Sequence, residues 1–321
     1  RWMDDQKFLD LVGATNLIPG PNATEMAMWL GQIRAGWRGL IAAGALFILP
    51  GMMVTLAIAW LYVEYGSLPQ VGWILYGIKP VVIAIIIQAL WDLGRKGVKG
   101  PLTAAIGAVV VALYLVGFNE IALLFAGAAV VLLAYRVRHF WRRGFMSALA
   151  VLPVLQIQLP LLLTSAVPFS PATLFFTFLK IGAVLYGSGY VLVAFLNSEF
   201  VDYLGWLTRQ QLLDAVAAGQ VTPGPVFTSA TFVGYLVGGW QSALLATLAI
   251  FLPSFFFVAL LSRILTWVSK SSWARDFLDG VNVASLGLMA GVAWQLGRST
   301  VIDAFTAVIT LLALFSVFRF K

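Results

Sequence analysis

The sequence predicts an all-α, polytopic membrane protein built from two inverted homologous repeats, with discontinuous helices at two Pro-Gly-Pro motifs. Three observations carry this prediction: long uncharged runs, an internal repeat, and basic residues that change loops between the repeats. Of the 321 residues, 61% are hydrophobic and only 10% are charged, whereas a soluble domain has about 25% charged residues. The composition therefore indicates a chain that folds in lipid.

Four uncharged runs are long enough to cross, or nearly cross, a bilayer core of about 30 Å. They are Gly39–Tyr62, Pro101–Phe118, Ile181–Ser198 and Gly280–Gly297. Because lipid offers the backbone no hydrogen-bond partner, these runs are expected to be helices.

Charge and residue usage exclude several classes of function. The net charge is +7, but the basic residues lie in short loops between apolar runs, a pattern typical of membrane proteins, so no nucleic-acid partner is predicted. The chain has no cysteine, which excludes disulfides, thiolate metal sites and cysteine nucleophiles. His139 is the single histidine, and one histidine cannot build a zinc site. We therefore predict no metal, no cofactor and no catalytic residues.

The chain contains the same pattern twice. Pro19-Gly20-Pro21 recurs as Pro223-Gly224-Pro225, and Gly36-Trp37 recurs as Gly239-Trp240. Further matches keep the same order and a nearly constant offset: Trp2 with Trp206, Leu49-Pro50 with Leu252-Pro253, and Trp91-x-Leu-Gly-Arg95 with Trp294-x-Leu-Gly-Arg298. Such ordered matches indicate an internal duplication.

The repeat predicts a division into three parts. Residues 1–135 form the first transmembrane repeat, residues 136–170 a cytoplasmic connector with an extra span, and residues 171–321 the second repeat. The second copy has residues 173–197 ahead of Trp206, which the first copy lacks, and the first copy has residues 121–135 beyond the point that matches Lys321. We expect each repeat to lack about one terminal helix.

Equivalent loops carry opposite charge patterns. After the Trp-x-Leu-Gly-Arg segment, copy one has Arg95, Lys96 and Lys99, whereas copy two has only Arg298. Before that segment the bias reverses, with Glu64 in copy one and Arg263, Lys270 and Arg275 in copy two. Since Lys and Arg mark cytoplasmic loops, the repeats are predicted to be inverted.

The two Pro-Gly-Pro motifs predict helix breaks that can hold an anion. Proline removes an N–H and clashes with the preceding turn, so one helix ends near Ile18 or Thr222 and the next begins after Pro21 or Pro225. The new helix presents free N–H groups and a positive dipole end, which together bind anions. The predicted substrate-binding residues around the breaks are Asn16, Gly20, Asn22 and Thr24 in copy one, and Gln220, Thr222, Gly224, Thr228 and Ser229 in copy two.

Two charged side chains and a second break complete the candidate site. Lys180 lies in an apolar span, where a lysine usually faces a cavity or a partner, although it could also extend toward the interface. Tyr186-Gly-Ser188-Gly-Tyr190 follows it and breaks the helix, which adds Lys180 and Ser188 to the predicted substrate-binding residues. Glu25 follows the first break and is a candidate for carrying a coupling proton, or for stabilising a helix N-terminus.

These motifs together resemble the chromate ion transporter family. The resemblance rests on Phe178-Leu-Lys-Ile-Gly182, Tyr186-Gly-Ser-Gly-Tyr190, Gly219-Gln-Val-Thr-Pro-Gly-Pro225 and Phe251-Leu-Pro-Ser254, with Pro19-Gly-Pro21 in copy one. It implies a multi-pass protein of a prokaryotic inner membrane that exports chromate, with sulfate as a competing oxyanion. A homodimer is a further candidate assembly. The family's Phe-Gly-Gly stretch reads Tyr186-Gly187-Ser188 here.

Two alternatives stay open at this level. An intramembrane lipid-modifying enzyme would need a carboxylate cluster or a nucleophile–base pair, and the acidic residues are scattered along the chain. An anion channel of the same architecture would differ from a carrier only in its kinetics.

Overall fold

The computed structural model describes residues 18–66, 68–141, 167–186, 189–268 and 272–320, together with Leu11 and Thr15. In chain order the α-helices are α1 (Asn22–Tyr65), α2 (Pro69–Gly97), α3 (Pro101–Val116), α4 (Glu120–Trp141), α5 (Pro171–Val184), α6 (Leu192–Leu196), α7 (Arg209–Val221), α8 (Ser229–Val268), α9 (Ser272–Thr300) and α10 (Ala304–Arg319). A π-helix, Asn197–Tyr203, follows α6. Within this described part the chain contains no strand, which confirms the predicted all-α class.

In the described part of the chain, five helical segments are long and apolar enough to cross a membrane, so the protein is a multi-pass membrane protein. They are Asn22–Tyr65, Gln70–Gly97, Glu120–Val137, Val226–Leu260 and Trp273–Thr300. Helices α3, α5 and α10 are shorter apolar helices.

The long helices α1 and α8 each contain a chain reversal. In α1 the backbone leaves the helical region at Ala35 and at Gly36, where φ is 56°, a value that glycine adopts without strain. Gly31 and Gly39 lie in contact across this point, although eight residues of straight helix would separate them by about 12 Å. In α8 the same reversal occurs at Gly238 and Gly239, and the hydroxyls of Thr231 and Thr247 are 2.7 Å apart across it. We call residues 22–34 and 229–237 the entry arms, and residues 37–65 and 240–268 the return arms.

The Pro-Gly-Pro motif of copy two is the tip of a second hairpin, formed by α7 and the entry arm of α8. Tyr62 donates a hydrogen bond to Asp214 of α7, 2.9 Å, and its ring lies 5.2 Å from that of Phe232 in the entry arm. A continuous helix would place Asp214 and Phe232 about 27 Å apart. The chain therefore turns back at the break, where the sequence predicted only that one helix ends and another begins.

An ion pair and a hydrogen bond at the helix ends show that the repeats are inverted. Lys99, just after α2, pairs with Asp279 near the start of α9, with an N–O distance of 2.6 Å. At the other end, the Tyr76 hydroxyl near the start of α2 donates to Asp303, just after α9. Since α2 and α9 are equivalent helices of the two repeats and their opposite ends meet, they run antiparallel, as the charge pattern predicted.

The two faces of the protein differ in charge. The end of α2 brings Arg95, Lys96 and Lys99 to one face, which we call the basic face. The face containing Asp303 is the opposite face. The copy-two reversal lies at the opposite face. Gly238 contacts Phe169, whose ring packs on Trp206 just before α7, and Gln210 at the start of α7 donates a hydrogen bond to the carbonyl of Ser299, close in sequence to Asp303. The orientation of the two faces in the membrane stays a prediction, in which the basic face is cytoplasmic because basic residues mark that side.

One predicted crossing is wrong. The run Ile181–Ser198 does not traverse the membrane, because the chain reverses after α5 and returns alongside it through α6 and the π-helix. The rings of Phe178 and Phe200, on the two sides of this reversal, are 4.8 Å apart. The sequence identified the break at Tyr186 but not the reversal. The predicted extra span at residues 144–168 falls almost entirely outside the described residues, while α4 continues past Arg136 to Trp141.

Candidate functional site

Three places where helices are interrupted meet inside the protein, and we call them tips: Pro19–Pro21, Leu185 and Gly189 on either side of the reversal after α5, and Pro223–Pro225. The amide of Gly20 donates a hydrogen bond to the carbonyl of Leu185, 2.9 Å. Gly189 packs against Val226, which follows the copy-two tip. Irregular backbone at membrane depth occurs where it is buried in protein or lines a cavity, so this junction is the candidate site.

The copy-one and copy-two tips are each covered by the other repeat's return arm. Gly20 lies against Ser254, and Gly224 lies against Gly51, where an added Cβ would approach the Gly51 Cα to 3.1 Å. The two contacts are equivalent in the repeat, since Gly20 corresponds to Gly224 and Ser254 corresponds to Gly51. Each covering residue directly follows a proline, Pro50 or Pro253, inside its return arm.

Two helical segments begin at this junction and run toward opposite faces. Helix α1 starts at Asn22 after the extended residue Pro21, and a 3-10 turn, Val226–Thr228, starts after Pro225 and leads into α8. The first N–H groups of a helix have no partner within it, and the dipole adds partial positive charge there. The center of the protein therefore faces two positive helix ends.

Buried hydroxyl and amide groups surround these helix ends. Thr24 and Ser229 are almost fully buried, and their hydroxyl oxygens have no hydrogen-bond partner among the described residues. The side-chain nitrogen of Gln220 also has no hydrogen-bond partner among the described residues. Buried polar atoms are normally paired, so these three groups are available to a ligand.

Other predicted residues of the tips are used locally. Thr228 donates its hydroxyl to the carbonyl of Pro225, 3.0 Å. Thr222 donates to Ala218, 2.5 Å, and lies 3.1 Å from the hydroxyl of Thr55. Asn22 is half-buried at the start of α1. Asn16 and Ser188, both predicted, lie outside the described residues.

Glu25 is a buried acid at the copy-one tip. Its side chain lies against Gly20, and its Oε1 accepts a hydrogen bond from Ser254, 3.3 Å. Its Oε2 has no partner within the described part of the chain, and no basic residue of that part forms an ion pair with it within 4.0 Å. A buried carboxylate without a cation is costly, so a bound proton would stabilise this side chain.

In this structure the ammonium group of Lys180 is not available to a ligand. It lies on α5, five residues before the tip at Leu185, which corresponds to about 7.5 Å of helix rise. Its ammonium group is paired with Glu199 of the π-helix. The cation that the sequence placed near the substrate is therefore neutralised by a carboxylate.

A second ion pair involves α7, the helix that leads to the copy-two tip, and the sequence did not predict it as a pair. Lys79 of α2 approaches Asp214 of α7 to 3.2 Å, and Tyr62 donates to the same carboxylate. Asp214 is thereby held by two residues of copy one. A lysine and an aspartate inside apolar runs are a signal of pairing, but the sequence alone does not identify the partners.

The return-arm residues at the tips were also missed. Gly51, Thr55 and Ser254 face the breaks although they are distant from them in sequence. The signal available for them was the proline that each copy carries at an equivalent place, Pro50 and Pro253, followed by a small residue.

Comparison with known proteins decides the family. The model of a family described as "Chromate transporter" matches residues 1–133 and 172–321. The chain belongs to the chromate transporter family. The two matched segments contain the two repeats, and the break between them falls where copy one ends and copy two begins.

Curated relatives in this family align over nearly the whole chain. The chromate transport protein of Cupriavidus metallidurans is 33% identical over 100% of this chain and 80% of its own length. The probable chromate transport protein of Synechococcus elongatus is 31% identical, with 98% and 81% covered. The chromate transport protein of Pseudomonas aeruginosa is 30% identical, with 94% and 74% covered. No solved structure matches the chain.

Proposed function

We propose that this protein is an oxyanion carrier of a prokaryotic inner membrane that exports chromate, with sulfate as a competing ligand. The observation that carries the proposal is the convergence of two helix N-termini and three buried polar atoms where the two repeats meet. These atoms are the hydroxyl oxygens of Thr24 and Ser229 and the side-chain nitrogen of Gln220, and none has a hydrogen-bond partner among the described residues. A tetrahedral dianion needs several N–H and O–H donors, and helix N-termini supply them.

The arrangement of the tips supports a carrier. The tips come from both repeats, and the entry arms that start at them run to opposite faces of the protein. Transporters of inverted-repeat type place the substrate at the repeat interface near the midplane, at the ends of interrupted helices. A small motion of one hairpin against the other repeat would expose the center to one face or the other.

The alternatives are less well supported. The relatives are named as transport proteins, which favours a transporter over a lipid-modifying enzyme. A channel of the same architecture is separated from a carrier by counterflow, in which unlabelled anion on one side drives uptake of labelled anion. We also propose that the protein forms a homodimer. The mass of the purified protein in detergent tests this assembly state.

Equilibrium binding to the purified protein tests the central claim. We expect chromate and sulfate to compete for one site, with phosphate weaker. Thr24→Val and Ser229→Ala each remove one donor without changing volume greatly, and each should weaken chromate binding about tenfold, the loss expected for one hydrogen bond to a charged ligand.

Thr310→Val is the matched control. Thr310 is a buried threonine on α10, bonded within its own helix to Thr306, 2.8 Å, and far in sequence from the tips. It should leave chromate affinity unchanged. Equal losses in the control and in the tip variants would show a general effect on folding, and unchanged binding in both tip variants would place the anion elsewhere.

A further inference from the structure

The side chain of Gln220 lies beside the copy-two tip with its two polar atoms in different settings. Its Nε2 is buried and has no hydrogen-bond partner among the described residues. Its Oε1 accepts a hydrogen bond from the hydroxyl of Tyr190, with an O–O distance of 3.4 Å. One end of the amide is therefore held by a neighbouring side chain, and the other end is left for a ligand.

Tyr190 reaches Gln220 from a different part of the fold. It lies in a 3-10 turn, Gly189–Val191, that follows the reversal after α5, whereas Gln220 is near the end of α7. Gly189, the residue before Tyr190, packs against Val226, just past the copy-two tip. This close backbone contact between the two tips brings the phenol to the amide.

The two unpaired donors of the copy-two tip lie close together. The hydroxyl of Ser229 lies against Gly219, where an added Cβ would come within 2.1 Å of its oxygen, and Gly219 directly precedes Gln220. Thr222 and Thr228 each donate their hydroxyl hydrogen to a main-chain carbonyl. Among the predicted residues of this tip, Ser229 and Gln220 are therefore the side chains that can donate to an anion.

The amide of Gln220 can help or oppose anion binding, depending on which end faces the ligand. A carboxamide has a donor at its nitrogen and an acceptor at its oxygen, and half a turn about its last bond exchanges them with little change of shape. Sulfate, and chromate at alkaline pH, carry only acceptors. The oxygen of Gln220 would therefore repel these anions, whereas the nitrogen would bind them.

The hydroxyl of Tyr190 favours the orientation that binds. A tyrosine hydroxyl can donate or accept, but when an anion takes the nitrogen of Gln220, only a donating hydroxyl matches the oxygen that remains. The two hydrogen bonds then run in the same direction, from Tyr190 to Gln220 and from Gln220 to the anion, and each polarises the other. The distance of 3.4 Å is long for an O–H···O bond, and hydrogen bonds at functional sites often tighten only when the ligand binds.

We propose that Tyr190 is a positioning residue that makes Gln220 a hydrogen-bond donor toward the anion, and that it thereby sets a preference for oxyanions without a proton. The proposal rests on the proposed function. Tyr190 does not need to touch the anion itself. It acts by holding the oxygen of the amide, so that the nitrogen faces the tip.

Comparing dianions with and without an O–H group tests this role. At alkaline pH hydrogen phosphate has one O–H donor, whereas chromate, sulfate and monofluorophosphate have none. Tyr190→Phe keeps the ring but frees the amide of Gln220 to turn its oxygen toward the tip, where it accepts from hydrogen phosphate. We expect the affinities for the three anions without O–H to fall about fivefold, the effect of one neutral hydrogen bond, while that for hydrogen phosphate stays within about twofold. Equilibrium binding to the purified protein measures all four.

A double-mutant cycle separates positioning from a purely structural role. In Gln220→Ala the amide is absent, so adding Tyr190→Phe should lower the chromate affinity no further. A tyrosine that only packs against the neighbouring tip would lower the affinity by the same factor in both backgrounds.

Tyr62→Phe is the matched control. Its hydroxyl also donates to a side chain of α7, Asp214, 2.9 Å, six residues before Gln220. Any loss of stability in this variant should come without a change in the ratio of sulfate affinity to hydrogen phosphate affinity.

The outcomes distinguish the positioning role from the anion function. Equal losses for all four anions in Tyr190→Phe, no loss for any of them, or the same loss in the Gln220→Ala background would overturn the positioning role and leave the proposed function intact. A parental protein that binds none of the four anions would overturn the proposed function, and the positioning role with it.

Discussion

The copy-one and copy-two tips share a backbone arrangement but differ in chemistry. At the first tip Gly20 lies between Glu25 and Ser254, so a carboxyl group and a hydroxyl face the break. At the second tip the equivalent residues are Ser229 and Gly51, which offer one hydroxyl and no charge. The duplication has kept the fold of the tip and placed the acid on one side only, so an anion at the center meets two unequal halves.

A second difference concerns the residues behind each tip. Thr222 and Thr55 are hydrogen-bonded behind the second tip, 3.1 Å. Their equivalents behind the first tip are Ile18 and Val258, both buried and apolar. One half therefore closes its tip with a polar contact between repeats, and the other closes it with an apolar contact. Exchanging residues between the halves is the direct way to find which differences matter.

The largest expected effect concerns the opposite orientation of the two repeats in the membrane. Arg95 and Arg298 are equivalent residues at the ends of α2 and α9, and inversion places them on opposite faces. In this cysteine-free chain, a cysteine at Arg298 should react with an impermeant reagent added to intact cells, and a cysteine at Arg95 should react only after lysis. Labelling of both from outside would contradict the inverted arrangement.

The second prediction compares the effects of the substitutions Gly20→Ala and Gly224→Ala. Gly20 has a φ of 139°, and its added methyl group would collide with both Glu25 and Ser254. We expect a loss of about 1–3 kcal/mol of stability from the strained backbone, together with loss of chromate binding. At Gly224 the contact is with the Gly51 backbone at 3.1 Å, and a smaller loss should follow. Thermal unfolding with chromate titration measures both, and equal tolerance of the two changes would show that neither tip is closely packed.

The third prediction compares Glu25→Gln with Ser229→Ala. If Glu25 carries a coupling proton, its amide variant should bind chromate with an affinity within about threefold of wild type but transport it at least about tenfold more slowly, a separation of binding from turnover. Ser229→Ala should instead weaken binding. Transport assays in proteoliposomes with matched binding data test this. A Glu25→Gln protein that transports at the parental rate would leave Glu25 as a helix-stabilising residue.

The smallest effect is expected from exchanging the pair behind the tips. Thr222→Ile alone leaves the hydroxyl of Thr55 buried without its partner, which costs about 1–3 kcal/mol. Adding Thr55→Val recreates the apolar pair of copy one and should recover most of that loss. A double-mutant cycle on unfolding free energy gives the coupling. Additive losses would show that the two hydroxyls do not depend on each other.

The sequence predicted the fold class, the duplication, the inversion and the two breaks, because apolar run length, repeated motifs and loop charge depend only on local residues. It did not predict the chain reversals at Gly36 and Gly239, since a Gly-Trp pair is equally typical of a short loop between two helices. It also missed the pairing of Lys180 with Glu199 and of Lys79 with Asp214. Which charges meet depends on how the hairpins pack, and two lysines in apolar runs could have met any of several acids.

The exchange of covering residues between the repeats also bears on how the chain is synthesised. The first tip is closed by Ser254, which hydrogen-bonds Glu25 across a separation of 229 residues. A ribosome adds roughly 5–20 residues per second, so for at least about ten seconds the newly made first tip has no cover. Until the second repeat is made, Glu25 and Gly20 lack the residue that covers them in the folded protein. Faults in assembly should therefore harm this protein early, during its insertion, before any defect in transport can be seen.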